Sequence, residues 1–184
     1  MVASPTLILA SASPQRRTLL KKLGVAFRII PSRVSEKSRE KNPLRLAREL
    51  ARRKALAVAR KYADAAVLGA DTIVVCGGEI IGKPRSKKEA RSILEKLNGR
   101  WHKVYTGVAL AREGGKIIFD AVALSRVKAH KLPSAALAAL AGKHMDKAGA
   151  YAVQDKKDPF ISRIEGELDN VIGLPLKAVR KLLR

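Results

Sequence analysis

In its first half the chain alternates short apolar runs with amphipathic segments of helical period, and that alternation limits it to folds in which helices cover a sheet. The run Leu7 to Ala10 is long enough only for a short buried strand. Ser11-Ala-Ser-Pro14 follows, and then Gln15 to Leu23, with Leu19, Leu20 and Leu23 on one face. Ser13 suits an N-cap, Pro14 the first helical position and Gly24 the C-terminal stop, so the segment reads as strand, turn and helix. Val25 to Pro31 predicts a second strand, and a polar, basic loop follows it. Asn42-Pro43 opens a longer helix to about Tyr62, with Leu44, Ala47, Ala51, Ala55, Val58 and Tyr62 at helical spacing.

Val67 to Cys76 predicts a buried strand broken at Gly69-Ala70-Asp71, and Gly77-Gly78 is a hairpin signal. Ser86-Lys-Lys-Glu89 has the form of a capping box for a helix carrying Ala90, Ile93, Leu94 and Leu97 and stopping at Asn98-Gly99. Val104–Arg112 and Lys116–Lys128 flank Gly114-Gly115 as an antiparallel hairpin. Ser134 is expected to cap a short Ala/Leu helix, with a loop at Asp146–Gln154, a strand at Phe160–Glu165 and a terminal helix at Pro175–Leu183. Helices and strands alternate early and hairpins dominate later, which predicts an α/β fold with a mixed sheet. With no internal repeat or Pro/Gly/Ser linker in its 184 residues, the chain is expected to be one domain, 1–184.

Composition narrows the function. The only cysteine, Cys76, sits in an apolar run with no histidine near it in sequence, which suits a buried structural thiol in a reducing, cytoplasmic setting better than a nucleophile. Residues Met1 to Ala12 lack a basic n-region, and no apolar stretch approaches the roughly 20 residues of a membrane helix, so neither a signal peptide nor a membrane partner is expected. Against 16 acidic residues stand 38 Lys and Arg, a net charge of +22 that favours anionic partners or simply a solubilising surface. Aromatic residues make up only 4%, and no nucleic-acid-binding motif is present, which speaks against a nucleic-acid partner.

Three features carry chemistry. The turn Ser11–Arg17 joins the exposed N–H groups of a helix start to two hydroxyls and two guanidinium forks, Arg16 and Arg17; it reads either as a phosphate site or as a capped helix with solvated arginines. Asp71 places a carboxylate inside an apolar strand, where it is costly without a partner: it is either paired within the fold or set where the strand meets a cleft. Lys83 follows the hairpin return Glu79–Gly82 and could come near the end of the Asp71 strand, or simply be a surface lysine. The three histidines lack ligand spacing, and neither a P-loop nor Gly-x-Gly-x-x-Gly follows the first strand. A nucleotide enzyme built on this chain must use scattered basic and hydroxyl groups, completed by a hard divalent cation on carboxylates.

These residues resemble a known family. Leu7–Leu20 (LILASASPQRRTLL) is similar to the opening signature of the Maf proteins, described as septum-formation-inhibitor-like nucleotide pyrophosphatases. The likeness continues through Leu46–Ala55, Leu68–Val75, Gly82-Lys83-Pro84, Thr106-Gly107-Val108, Asp146–Gln154 and Val171–Leu176, in the family's order and near its spacing. The resemblance implies metal-dependent hydrolysis of a nucleoside triphosphate to a monophosphate and pyrophosphate, in a two-lobed α/β structure with a central cleft, often as a homodimer. It implies that Asp71 is the proton acceptor, that Ser11, Arg16, Lys54 and Lys83 line the phosphate site, and that Glu36 helps with metal or water; with Glu36 and Asp71 as candidate ligands, Mg²⁺ or Mn²⁺ suits such oxygen-rich donors. Gln15, Thr72 and Gln154 match positions that choose the base; Thr72 and Gln154 are of the type that prefers dTTP and UTP over 7-methyl-GTP. The chain departs from the family where a Pro-Ser-Asp-x-Asp-Glu pattern becomes Pro31-Ser-Arg-Val-Ser-Glu36, which leaves one carboxylate, and where Gln15 replaces the usual Arg or Trp. The rival readings are a nucleotide-binding regulator of division that does not cut its ligand, and a basic nucleic-acid-binding protein.

Overall fold

Leu7–Leu9 forms β1, a strand of three residues that are all buried. It hydrogen-bonds in parallel on both sides, to β2 (Phe27–Ile29) and to β3 (Ala66–Cys76), with Leu7 opposite both Phe27 and Ala66. Parallel neighbours need helical crossovers, and α1 (Pro14–Lys21) and α2 (Pro43–Ala59) supply them. The computed structural model describes residues 6–155 and 157–183, so the part of the N-terminal reading that falls on residues 1–5 lies outside the described residues.

Beyond β3 the chain runs through β4 (Glu79–Ile81), α3 (Lys87–Leu97), β5 (Trp101–Arg112), β6 (Lys116–Ala129), α4 (Ser134–Leu140), β7 (Ile161–Glu165), α5 (Leu168–Ile172) and α6 (Leu176–Leu182). The strand order is β2-β1-β3-β5-β6-β7, with β4 also on β3; β3–β4 and β6–β7 are antiparallel, so the sheet is mixed, as the sequence predicts. The chain divides into two compact units. One holds the described residues up to Asp71, Thr106–Ala123 and the stretch from Gly173; the other holds Thr72–Tyr105 and Leu124–Ile172.

In the first unit α2 lies directly on the sheet. A Cβ at Gly69 would fall 2.3 Å from the Ala51 carbonyl oxygen, and one at Gly107 would fall 2.2 Å from that of Ala47. Helix and strand backbones touch there, and the helix meets the contact with Ala47, Ala51 and Ala55, each fully buried. The expected break at Gly69-Ala70-Asp71 is absent: β3 is continuous, and Gly69 serves close approach rather than interruption. Leu44, expected on the apolar face of α2, is exposed; Leu46 and Leu50 take its place in the core.

The second unit has its own core, which includes Val74, Leu94, Leu97, Val104, Val127 and Phe160. Gly77 and Gly78, both at positive φ, close the expected β3–β4 hairpin, and the Ser86 hydroxyl caps α3 by accepting from the Glu89 N–H. Ser134 is not a cap: it begins α4 after Pro133, and its hydroxyl accepts from Arg91 Nη2 at 2.8 Å. Cys76 is buried, as expected, and free.

His102 on β5 is 2% exposed, with Nε2 2.8 Å from the Tyr151 hydroxyl. Burial pulls its pKa down from 6.5 to about 4. Between those values the unfolded chain binds the extra proton and the folded one does not, so this contribution to stability is present near neutrality and lost as pH falls. From pH 7 to pH 4.5 the wild type should lose of order 2 kcal/mol more than His102→Gln in urea unfolding. Equal losses would show that His102 does not titrate as a buried neutral imidazole.

Candidate active site

Asp71 lies two residues beyond Gly69 on β3, and Lys54 stands on the face of α2 that Gly69 admits. The Lys54 ammonium donates to Asp71 Oδ1 at 2.5 Å and to Glu36 Oε1 at 2.5 Å. Asp71 and Lys54 are 6% and 8% exposed, whereas Glu36 is exposed. An isolated charge at such burial would be costly, and the contact offsets part of that cost for both. Asp71 is thus paired within the fold, one of the two readings its sequence position left open.

Glu36 sits on the loop between β2 and α2, and α2 also fixes that loop. Arg53 Nη1 donates to the carbonyls of Ser35 and Lys37, each at 2.8 Å, and so grips the backbone on both sides of Glu36. Glu49, one turn earlier, pairs with Arg53 and accepts from the Ser38 hydroxyl at 3.0 Å. The single carboxylate left in this segment is held by neighbours on the helix that carries Lys54.

Ser13 caps α1, its hydroxyl accepting from the Arg16 N–H at 3.4 Å. The hydroxyl of Ser11, a buried residue, accepts from the Ser13 N–H at 3.2 Å and from Arg16 Nη1 at 3.3 Å. Arg16 Nε donates to the Gly173 carbonyl at 2.8 Å, so this guanidinium is anchored, while Arg17 is exposed. Burial lowers the Arg16 pKa from its ordinary value, and the negative charges of Asp71 and Glu36 oppose the shift. Arg16 and both carboxylates lie in the same compact unit. Ser11, Arg16, Glu36, Lys54 and Asp71 therefore gather in one unit.

The remaining sequence candidates are placed as follows. Gln15, partly exposed on α1, accepts from the Ser13 hydroxyl at 2.9 Å. Thr72, Lys83 and Gln154 belong to the second unit: Thr72 follows Asp71 on β3 and is partly exposed, Lys83 is exposed after β4, and Gln154 is exposed in a turn. Among the described residues no group of three or more His, Cys, Asp or Glu gathers as a metal cage. Two carboxylates from different elements nevertheless converge on one positive charge, the Lys54 ammonium. Carboxylate oxygens are hard donors of the type a divalent cation such as Mg²⁺ takes. Arg53 and Gly173 lie in the blocks Leu46–Ala55 and Val171–Leu176, yet nothing there assigns them a role; an arginine next to Lys54 in a basic helix gives no sign of a loop to hold, and a backbone carbonyl gives none at all.

Carboxylates, cations and a hydroxyl thus gather in an α/β fold, with Ser11 and Arg16 at the N-terminal end of α1. The family model described as Maf-like protein matches residues 6–184, and the chain belongs to that family. A dTTP/UTP pyrophosphatase of Elusimicrobium minutum is 49% identical over 178 residues, 97% of either chain. A dTTP/UTP pyrophosphatase of Aquifex aeolicus is 43% identical, covering 96% of this chain and 93% of the relative. Another of that description, from Dictyoglomus thermophilum, is 40% identical, covering 96% and 94%. Among the described residues no helix is long and apolar enough to cross a membrane.

Proposed function

We propose that this chain hydrolyses nucleoside triphosphates between the α- and β-phosphates, releasing a monophosphate and pyrophosphate, with dTTP and UTP preferred. The observation that carries the reading is the Lys54 ammonium bound at once to Asp71 and Glu36, within a cluster that includes Arg16 and Ser11. Support for the substrate comes from relatives of 40–49% identity over nearly the whole chain, described as dTTP/UTP pyrophosphatases. On this reading Asp71 takes the proton of the attacking water, held in place by Lys54. Arg16, Lys54, Lys83 and the Ser11 hydroxyl neutralise and orient the phosphoryl oxygens and the leaving pyrophosphate, which is positioning and electrostatics without a covalent intermediate. Glu36 and Asp71 would hold the divalent cation, Mg²⁺ or Mn²⁺, which supplies further charge neutralisation at the phosphates when bound.

Thr72 and Gln154, with Gln15, read the base. A neutral carboxamide both donates and accepts, and so complements the imide edge of thymine and uracil, whereas a carboxylate there only accepts. The same reading puts the enzyme in the cytoplasm, where its free thiol stays reduced. Pyrophosphate release from dTTP, UTP, CTP and 7-methyl-GTP under one Mg²⁺ or Mn²⁺ condition tests both parts. The expected result is stoichiometric monophosphate and pyrophosphate, fastest from dTTP and UTP. Binding without release would overturn the enzyme reading in favour of a regulator, and preference for the methylated purine would overturn the base assignment alone.

A further inference from the structure

Gln154 is exposed, yet the turn that carries it is fastened by buried polar groups. The Asp155 N–H donates to the Ala152 carbonyl at 3.0 Å, which closes a turn with Val153 and Gln154 at its centre. The Asp158 carboxylate then ties the two flanks together: Oδ2 accepts from the Ala152 N–H at 2.9 Å, and Oδ1 accepts from the Phe160 N–H at 3.0 Å. That side chain is only 3% exposed; His144 Nε2 lies 3.3 Å from its Oδ2 without a hydrogen bond to it. Beneath the turn, Tyr151 and Phe160 stack with ring centroids 5.8 Å apart, and the Tyr151 hydroxyl meets His102. The entry to the turn leaves little slack: Ala150 sits at φ 58°, and a Cβ on Gly149 would fall 2.7 Å from the Tyr151 ring.

A buried carboxylate spent on two backbone N–H groups is strong fixation for a surface turn, because charge-assisted bonds of this kind are the stronger ones and their loss is costly when buried. Fixation matters most for a carboxamide that must meet a base edge, since hydrogen bonds weaken steeply with angle, and recognition groups work when held to about half an ångström. We propose that Asp158 is a positioning residue for base selectivity that holds the turn so that Gln154 presents its carboxamide to the pyrimidine. The proposal rests on the assignment of Gln154 to base recognition made above.

The test is a double-mutant cycle on the ratio of kcat/KM for UTP to that for CTP. Asp158→Asn keeps the shape but turns an amide N–H toward a backbone donor. It should lower the ratio about tenfold, chiefly through a higher KM for UTP. Gln154→Ala should lower it as much, and the double variant no further, because the first residue acts through the second. A purely structural role predicts instead a loss shared by all nucleotides, or additive losses, and either result overturns the clamp. If Gln154→Ala alone keeps the wild-type ratio, the base assignment itself fails and the clamp falls with it; if only Asp158→Asn keeps it, the assignment stands and the clamp is wrong. Should Asp158→Asn not fold, Asp158→Glu, which keeps the charge but displaces the carboxylate, decides: a reduced ratio supports the clamp, and a wild-type ratio overturns it.

Discussion

Asp71→Asn is expected to lower kcat for dTTP by about 10² to 10⁴ while the protein still folds, the usual cost of losing a positioned acid–base group. The replacement is nearly isosteric, and its carboxamide oxygen can still accept from the Lys54 ammonium that now meets Oδ1 at 2.5 Å. Glu36 continues to supply a negative charge to that ammonium from the other side. The lost capacity is proton acceptance, since a carboxamide cannot take a proton from water near neutrality. Purified variant and wild type should therefore share a circular dichroism spectrum and melt within a few degrees of each other, yet differ by orders of magnitude in pyrophosphate release. Turnover within a few-fold of wild type would sink the assignment of Asp71 as proton acceptor. Failure to fold would show that Asp71 serves the structure first.

What was legible in the sequence was what neighbours along the chain decide. The Ser13 cap and Pro14 start of α1, the Asn42 cap of α2, and the Gly77-Gly78 turn each depend on groups within four residues, and each lies where local chemistry puts it. The mixed sheet follows from the same signals, because its parallel part needs the two early crossover helices. Tertiary contact decides the rest. Nothing near Gly69 in sequence says that the glycine admits a helix backbone, so it read as a break in β3. Leu44 fits the helical period of α2 but lies in its first turn, where the buried face starts with Leu46 and Ala47. The five residues of α5, between Gly166 and Gly173, are too few to show a period. At the site, family resemblance singled out Lys54, yet only the fold shows it between two carboxylates whose positions lie 17 and 18 residues away. The grip of Arg53 on the Glu36 loop has no local signature either.

Lys54→Met separates the structural weight of this cluster from its chemistry. Methionine keeps the length of the side chain and suits the helix, so packing against β3 changes little. The Asp71 carboxylate, with its side chain 8% exposed, loses the ammonium bonded to it, whereas Glu36 is open to water and loses less. Breaking a buried pair from one side typically costs about 3–5 kcal/mol, because the remaining charge stays buried. For a chain of this size that corresponds to a fall in Tm of roughly 6–20 °C. Lys54→Met/Asp71→Asn should recover at least half of the fall, since a carboxamide tolerates burial beside methionine far better than a carboxylate does. Turnover should be lost in the single and the double variant alike, because on the proposed mechanism the first lacks the cation that orients Asp71 and the phosphates, and the second lacks the proton acceptor as well. Recovery of stability without recovery of activity is the outcome that assigns the pair to catalysis as well as to folding. A single variant that melts with the wild type would show that Asp71 finds its compensation elsewhere, and a double variant that melts no higher than the single would show that the loss came from the helix and not from the stranded charge.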